Sequence, residues 1–253
     1  MFADRHRWLA LLGPVVLFLV VWHVAVVLSR SLIFPTPWQV AAGLADLARQ
    51  GLLVKHIVAS LFRVTCGYVL AAALAIAVGM LIGWFPAAHA LLNPMVQGLR
   101  PISPIAWIPL AILWFGVGDL SPIFLIFLSS FFPMVVGTAA GVMTIDRKYL
   151  RAARNFEFSG LRLFRSVVLP AAFPQIVTGM RIGLGVAWLV VVAAEMIAVN
   201  SGLGYLIIDS RNAGNRYDLV VAGMVTIGAI GFLLDTCMRG LERLDEVRWR
   251  YET

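Results

Sequence analysis

The stretch Arg147–Pro170, RKYLRAARNFEFSGLRLFRSVVLP, places six basic residues in the middle of a chain that is otherwise almost continuously apolar. A basic, helix-patterned break between apolar runs marks a structured loop on the cytoplasmic face of a membrane protein, within reach of a soluble partner. Tyr149, Ala152, Ala153 and Phe156 fall at i, i+3, i+4 and i+7 and so share one helical face, while Arg147, Lys148, Arg151 and Arg154 gather on the rest. Ser159-Gly160 forms a break with Ser159 as a candidate N-cap, and Leu161, Phe164 and Val168 make a second apolar stripe that ends at Pro170. The spacing predicts two short helices at an angle, with two alanines on a face that another protein's surface can approach closely. On physical grounds alone, the same pattern also fits a helix pair resting on anionic lipid.

Working outward, 61% of the 253 residues are hydrophobic, more than a soluble domain can hide. The expected architecture is an all-α polytopic membrane protein with about six spans, near 8–29, 57–84, 89–115, 121–143, 171–199 and 219–238. An N-terminus in the cytoplasm puts twelve Lys and Arg on the cytoplasmic side (Arg5, Arg7, the loop basics, Arg239, Arg243, Arg248 and Arg250). Six fall outside: Arg30, Arg49, Lys55, Arg63, Arg211 and Arg216. That bias favours both termini in the cytoplasm. The net charge of +7 does not imply nucleic acid, because the basic residues sit in loops between spans. Cys66 and Cys237 lie in apolar runs and form neither a disulfide framework nor a metal spacing.

Organisation follows from the spans. Residues 1–55 hold a retained first helix and an external segment, 56–238 the main transmembrane domain with its loop at 146–170, and 239–253 a cytoplasmic tail. After the turn at Pro35-Thr36-Pro37, Trp38, Ala41, Ala42, Ala45 and Ala48 recur at helical spacing, which predicts a short interfacial helix on the outer surface.

The loop also resembles a known family. Permease subunits of binding-protein-dependent ABC importers carry E-A-A, three residues, G, nine residues, I-x-L-P in a cytoplasmic coupling loop. Ala152, Ala153, Leu169 and Pro170 match at that spacing, and Val167 replaces the Ile. Arg151 stands where Glu is usual and Glu157 where Gly makes the turn, so Gly160 is the expected substitute for that turn. The segments RPISPIAWIPLAILWFG (100–116), VLPAAFPQIVTGMRIGLGVAW (168–188) and AEMIAVNSGLGYLI (194–207) are similar to the branch that handles nitrate, sulfonates, taurine and bicarbonate.

The resemblance implies a type I importer permease in a bacterial inner membrane, forming the path for a small oxyanion by alternating access. Its implied partners are cytoplasmic ATPase subunits, an extracytoplasmic solute-binding protein and a second permease chain, as a homodimer. ATP and Mg would be used by the ATPase, and no cofactor is expected on this chain. The implied coupling residues are Tyr149, Arg151, Ala152, Ala153, Phe156, Glu157, Gly160, Leu169 and Pro170. The sequence is consistent with a separate motor, since neither Lys55 nor Lys148 follows a glycine as a phosphate-binding loop requires.

Charged residues inside spans are expensive and therefore candidates for function. Glu195 lies within about two turns of the outer surface, where it can close a gate or bond neighbouring backbone, and Asp235 and Arg239 lie near the inner end of the sixth span. Arg100, Ser103 and Trp107, on a stretch broken by Pro101, Pro104 and Pro109, are path candidates along with Glu195 and Asn200. Gly179, Gly183, Gly185 and Ala187 form a small-residue face for a close helix contact, and His23 reads as structural. A self-sufficient secondary transporter or channel predicts paired repeats, which are not evident, and leaves the basic loop without a role. An enzyme predicts a recognisable catalytic setting, and neither HExxH nor GxSxG is present.

Overall fold

In the computed structural model, residues 2–29 and 33–242 are described, with side chains for 13–29 and 33–240. The side chains of Arg5 and Arg7, and Arg30, Arg243, Arg248 and Arg250, lie outside the described residues, as does the tail beyond 242. The chain begins with α1 (Phe2–Ser29) and α2 (Pro37–Arg49), followed by the long α3 (Leu52–Trp84). Then come α4 (Pro86–Leu99), a 3₁₀ turn (Pro104–Trp107) and α5 (Ile108–Phe115). After α6 (Leu120–Met143), the loop folds as α7 (Arg147–Asn155) and α8 (Gly160–Leu163), joined by a π-helical stretch (Phe164–Val168) to α9 (Leu169–Ala198). Two helices close the fold, α10 (Leu203–Asn212) and α11 (Tyr217–Glu242).

The six expected spans correspond to α1, α3, the α4–α5 pair, α6, α9 and α11. Among the described residues, four uninterrupted helical runs are long and apolar enough to cross a bilayer, and the α4–α5 pair supplies a fifth only as a span bent by 85°. Pro101 and Pro104 flank the bend, each lacking the N–H that would carry α4 onward, while Pro109 sits in the first turn of α5, where the missing N–H costs little. The described apolar part of α1, Gly13–Ser29, is shorter.

The core is built around α6, which packs along α3 on one side and α9 on the other. Small residues set the spacing. A methyl group placed on Gly79 would run into Thr138, and one on Gly137 would sit 2.9 Å from the Cα of Gly179. Gly179 and Gly183 therefore use their small-residue face inside this chain, against α6. Gly185 on the same helix has open space beside it.

The segment after α1 is helical as expected, but a different face does the packing. Thr36 caps α2 reciprocally, accepting from the Gln39 N–H at 3.4 Å and donating its own N–H to Gln39 Oε1 at 2.8 Å. Val40, Gly43 and Leu47 are buried against α3 and α11, whereas Trp38 is 79% exposed. Gly43 decides this, since it brings α2 up to the backbone of Asp218. The alanine stripe suits either environment, while the larger Val40 and Leu47 gain more from burial.

Helix α10 corresponds to none of the expected elements: its 10 residues are too short for a span, yet Leu203, Leu206 and Ser210 are buried against neighbouring helices.

Candidate functional site

Two built sites stand at opposite ends of the helices. The first is the basic loop. Asp146 caps α7, its Oδ1 accepting the Lys148 N–H at 2.8 Å and its Oδ2 pairing with Lys148 Nζ at 3.1 Å. The hydrogen bond from the Lys148 backbone, followed by that from its side chain, holds the Asp146 carboxyl below the usual aspartate range. Protonation would weaken the cap, so the cap is present above the ordinary aspartate pKa and is lost as pH falls through the lowered one.

At its other end α7 closes in a Schellman motif. The Phe158 N–H donates to Ala153 O at 3.0 Å and the Glu157 N–H to Arg154 O at 2.9 Å, with Glu157 left-handed at φ 59°. The turn therefore forms at Glu157 itself, and Gly160 adds a second left-handed residue at φ 51° without replacing it. A motif that needs a left-handed residue at this position explains why glycine is usual there.

The four residues expected on one packing face divide between two. Ala153 is 5% exposed and belongs to a cluster of this chain's own apolar residues, along with Leu150, Phe158 and Leu163. Tyr149, Ala152 and Phe156 face outward, Phe156 being 76% exposed, with Arg147, Arg151 and Arg154 exposed around them. The second stripe also shifts: Leu163 and Val168 are buried and Leu161 is exposed. The helix does not end at Pro170. The π stretch widens the turn just before Pro170, whose missing N–H then falls in the first turn of α9, and Gly160–Ala198 runs on as one helical span. Leu169 is half-buried in the same apolar cluster and Pro170 is exposed.

The second site lies at the far ends of α3 and α9. Glu195 has no exposed surface. Its Oε1 accepts from Arg63 Nη1 at 2.7 Å, and its Oε2 accepts from Ser60 Oγ at 2.8 Å and the Gly204 N–H at 3.0 Å. Arg63 is 2% exposed and also donates to Asp119 Oδ1 at 2.8 Å, to Ser201 O at 2.8 Å and to the Ser201 hydroxyl. The Gly202 N–H donates to His56 Nδ1 at 3.0 Å, and the Leu203 N–H to Ser60 Oγ at 2.9 Å. The network ties the α9–α10 loop and the start of α6 to α3.

This arrangement relocates Arg63. It is a buried residue of α3 and belongs to no outer segment, so the outer count of basic residues falls by one and the bias toward the other side grows. His56, Ser60 and Arg63 occur at i, i+4 and i+7 in an apolar helix, a polar stripe that could have revealed the site. Glu195 is enclosed by this network with no exposed surface, while Asn200, in the loop that follows, is exposed. Gly202 (φ 103°) and Gly204 are required here, because a methyl group on Gly202 would strike the Glu195 carboxylate and one on Gly204 the Val192 carbonyl.

Arg100 and Ser103 are exposed at the break between α4 and the 3₁₀ turn, and Trp107 is half-buried. The structure does not bring them to Glu195 or Asn200 by any hydrogen bond among the described residues. Asp235 and Arg239, expected near the inner end of the last span, do meet: Asp235 Oδ2 pairs with Arg239 Nη2 at 2.8 Å, and Oδ1 with Arg181 Nε at 2.8 Å.

Helical spans packed through small residues, with one span broken and a basic loop helix carried on another, define a polytopic helical membrane protein. Comparison with known proteins gives the family. Residues 67–250 match the model of the binding-protein-dependent transport system inner membrane component, and the chain belongs to that family. It is 37% identical over 241 residues to the taurine transport system permease protein TauC of Escherichia coli strain K12, covering 92% of this chain and 86% of that one. It is 36% identical over 249 residues to the putative aliphatic sulfonates transport permease protein SsuC of Bacillus subtilis strain 168, covering 97% of this chain and 89% of that one. Among solved structures, the fold matches inward-facing conformations of the MetNI methionine ABC transporter at a TM-score of 0.66 and 17% identity, over 76% of this chain and 95% of that one.

Proposed function

We propose that this chain is the transmembrane subunit of an ATP-driven importer for small oxyanions, sulfonates and taurine foremost, working by alternating access as a homodimer. Both termini and α7 face the cytoplasm, a cytoplasmic ATPase docks on α7, and a solute-binding protein delivers the anion to the opposite face. The carrying observation is the exposed apolar line Tyr149–Ala152–Phe156, ringed by arginines, on a loop whose second half is continuous with α9. A partner that grips this line moves α8, and α8 cannot move without α9. Arg151 faces the same partner. Glu157, Gly160, Leu169 and Pro170 shape the lever and leave its grip to the exposed line.

Along the path, the bend between α4 and α5 supports a role for Arg100, Ser103 and Trp107, since broken backbone at membrane depth is tolerated where it lines a cavity or packs on protein. Glu195 with Arg63 acts as a clamp on the outer loops, with Asn200 on its solvent side. A carboxylate already saturated by three donors has no capacity to hold an anion. Weakened import by Arg100→Ala at limiting substrate supports the path, and unchanged import removes Arg100 from it.

The reading as a whole is tested by purifying the chain with its ATPase and measuring hydrolysis stimulated by binding protein loaded with taurine, an alkanesulfonate, nitrate or bicarbonate in turn. Stimulation by at least one loaded form is expected. Equal hydrolysis with loaded and empty binding protein would sink the substrate reading.

A further inference from the structure

Helix α4 carries three polar side chains, His89, Asn93 and Gln97, and Arg100 stands at its C-cap. At about 100° per residue the four fall within an arc of about 80°, so the polar groups of the helix share one face. Gln97 and Arg100 are exposed and His89 and Asn93 half-buried. None of the four side chains makes a hydrogen bond or ion pair among the described residues. The face also lies at membrane depth. Trp84 and Phe85, just before α4, line a cleft with Gly160, Leu161 and Phe164, so the helix starts at the end of the molecule that carries α7. Val96, next to Gln97, is buried in one cluster with Ala71, Ala72, Ala75 and Met134, from the middle stretches of α3 and α6. Amides and a guanidinium without partners are costly against hydrocarbon and are tolerated where they face water or a ligand. From Pro86 to Phe115 the chain holds no aspartate or glutamate, so the ligand that suits this face is an anion.

We infer that the face His89–Asn93–Gln97 is the inner half of the anion path, taking the oxyanion group of the substrate from Arg100 at the bend and passing it along amide donors toward the α7 end. Asn93 and Gln97 lie one turn apart, so an oxyanion can reach the next donor as it leaves the last. The assignment rests on the transport reading and extends it beyond Arg100, Ser103 and Trp107.

The test uses the permease–ATPase complex in nanodiscs, with Cys66 and Cys237 replaced by Ala and a single cysteine introduced as Asn93→Cys, Gln97→Cys or Met95→Cys. Two methanethiosulfonates of similar size are compared, one ending in a sulfonate and one in a trimethylammonium, each rate divided by that with free cysteine. Asn93→Cys and Gln97→Cys are expected to favour the sulfonate about tenfold, the effect of one nearby positive charge on reagents of opposite sign. Adding Arg100→Gln is expected to remove the preference. Met95, 58% exposed on the opposite and apolar side of α4, is expected as Met95→Cys to resist both reagents. Equal rates with the two reagents at both polar positions would overturn the anion path. So would an absence of labelling at both, whether lipid or a second copy covers the face, a disulfide between copies marking the latter. These rates need neither substrate nor hydrolysis, so either negative result beside normal import leaves the transport reading standing. Sulfonate-selective labelling of a complex that imports nothing would instead overturn the transport reading and, with it, this assignment.

Discussion

Glu157 shows how a single residue carries information that its identity alone hides. It occupies a left-handed position that closes α7, and it does so without the freedom that glycine would bring. Glu157→Gly is expected to stabilise the loop by about 1 kcal/mol, seen as slower amide exchange across 147–158 with no change in the spans. Faster exchange there would show that the Glu157 side chain holds the turn by other means. Arg63 is the opposite case, a residue whose surroundings determine its worth. Replacing it with Gln leaves Glu195 buried beside an uncharged partner and is expected to destabilise the chain by about 3 kcal/mol, with Glu195→Gln in the same chain recovering a large part. Thermal melting in detergent checks both, and additive losses in the double variant would show that the two residues do not act as a pair. The presence of a costly Glu195 was legible from its place in an apolar run. Its partner was not, because Arg63 lies 132 positions away and lay too near an assumed span edge to register as buried.

At the scale of elements, hydrophobic periodicity located most of the spans and α7, because each buries a face or crosses lipid, but it ended at Pro170 a helix that in fact runs on into α9. It was less able to choose between faces of α7. Tyr149, Ala152, Ala153 and Phe156 cluster within a single arc, and only the Schellman closure, which brings Phe158 back over Ala153, turns Ala153 inward and leaves the other three outside. Two substitutions separate the resulting roles. Ala152→Asp puts a charge on the exposed line and is expected to preserve the melting temperature while abolishing binding-protein-stimulated ATPase activity. Ala153→Asp buries an unpaired carboxylate in this chain's own core and is expected to cost about 3 kcal/mol or more, so that its coupling defect comes with a lower melting temperature. Equal stability in the two variants would contradict the placement of Ala153. The break between α4 and α5 was foreshadowed by three prolines, though proline density could not say that the chain would turn by 85°. Helix α10 left no readable pattern, since its burial depends on α11 and α9 and not on its own periodicity.

Across the whole molecule, the two sites sit at the two ends of α9. One end continues without interruption into α8 and the loop that carries α7, and the other carries Glu195, tied through Arg63 to α3 and to the start of α6. Under the proposed reading, a displacement imposed at α7 would travel along α9 to the Glu195–Arg63 network at its far end. The most direct measurement is uptake of labelled taurine or alkanesulfonate into liposomes holding the chain with its ATPase, with loaded binding protein outside and ATP inside. The account predicts uptake that requires ATP, stops with Ala152→Asp and fails when the ATPase is omitted. Equal uptake by this chain alone, without ATPase or nucleotide, would contradict it.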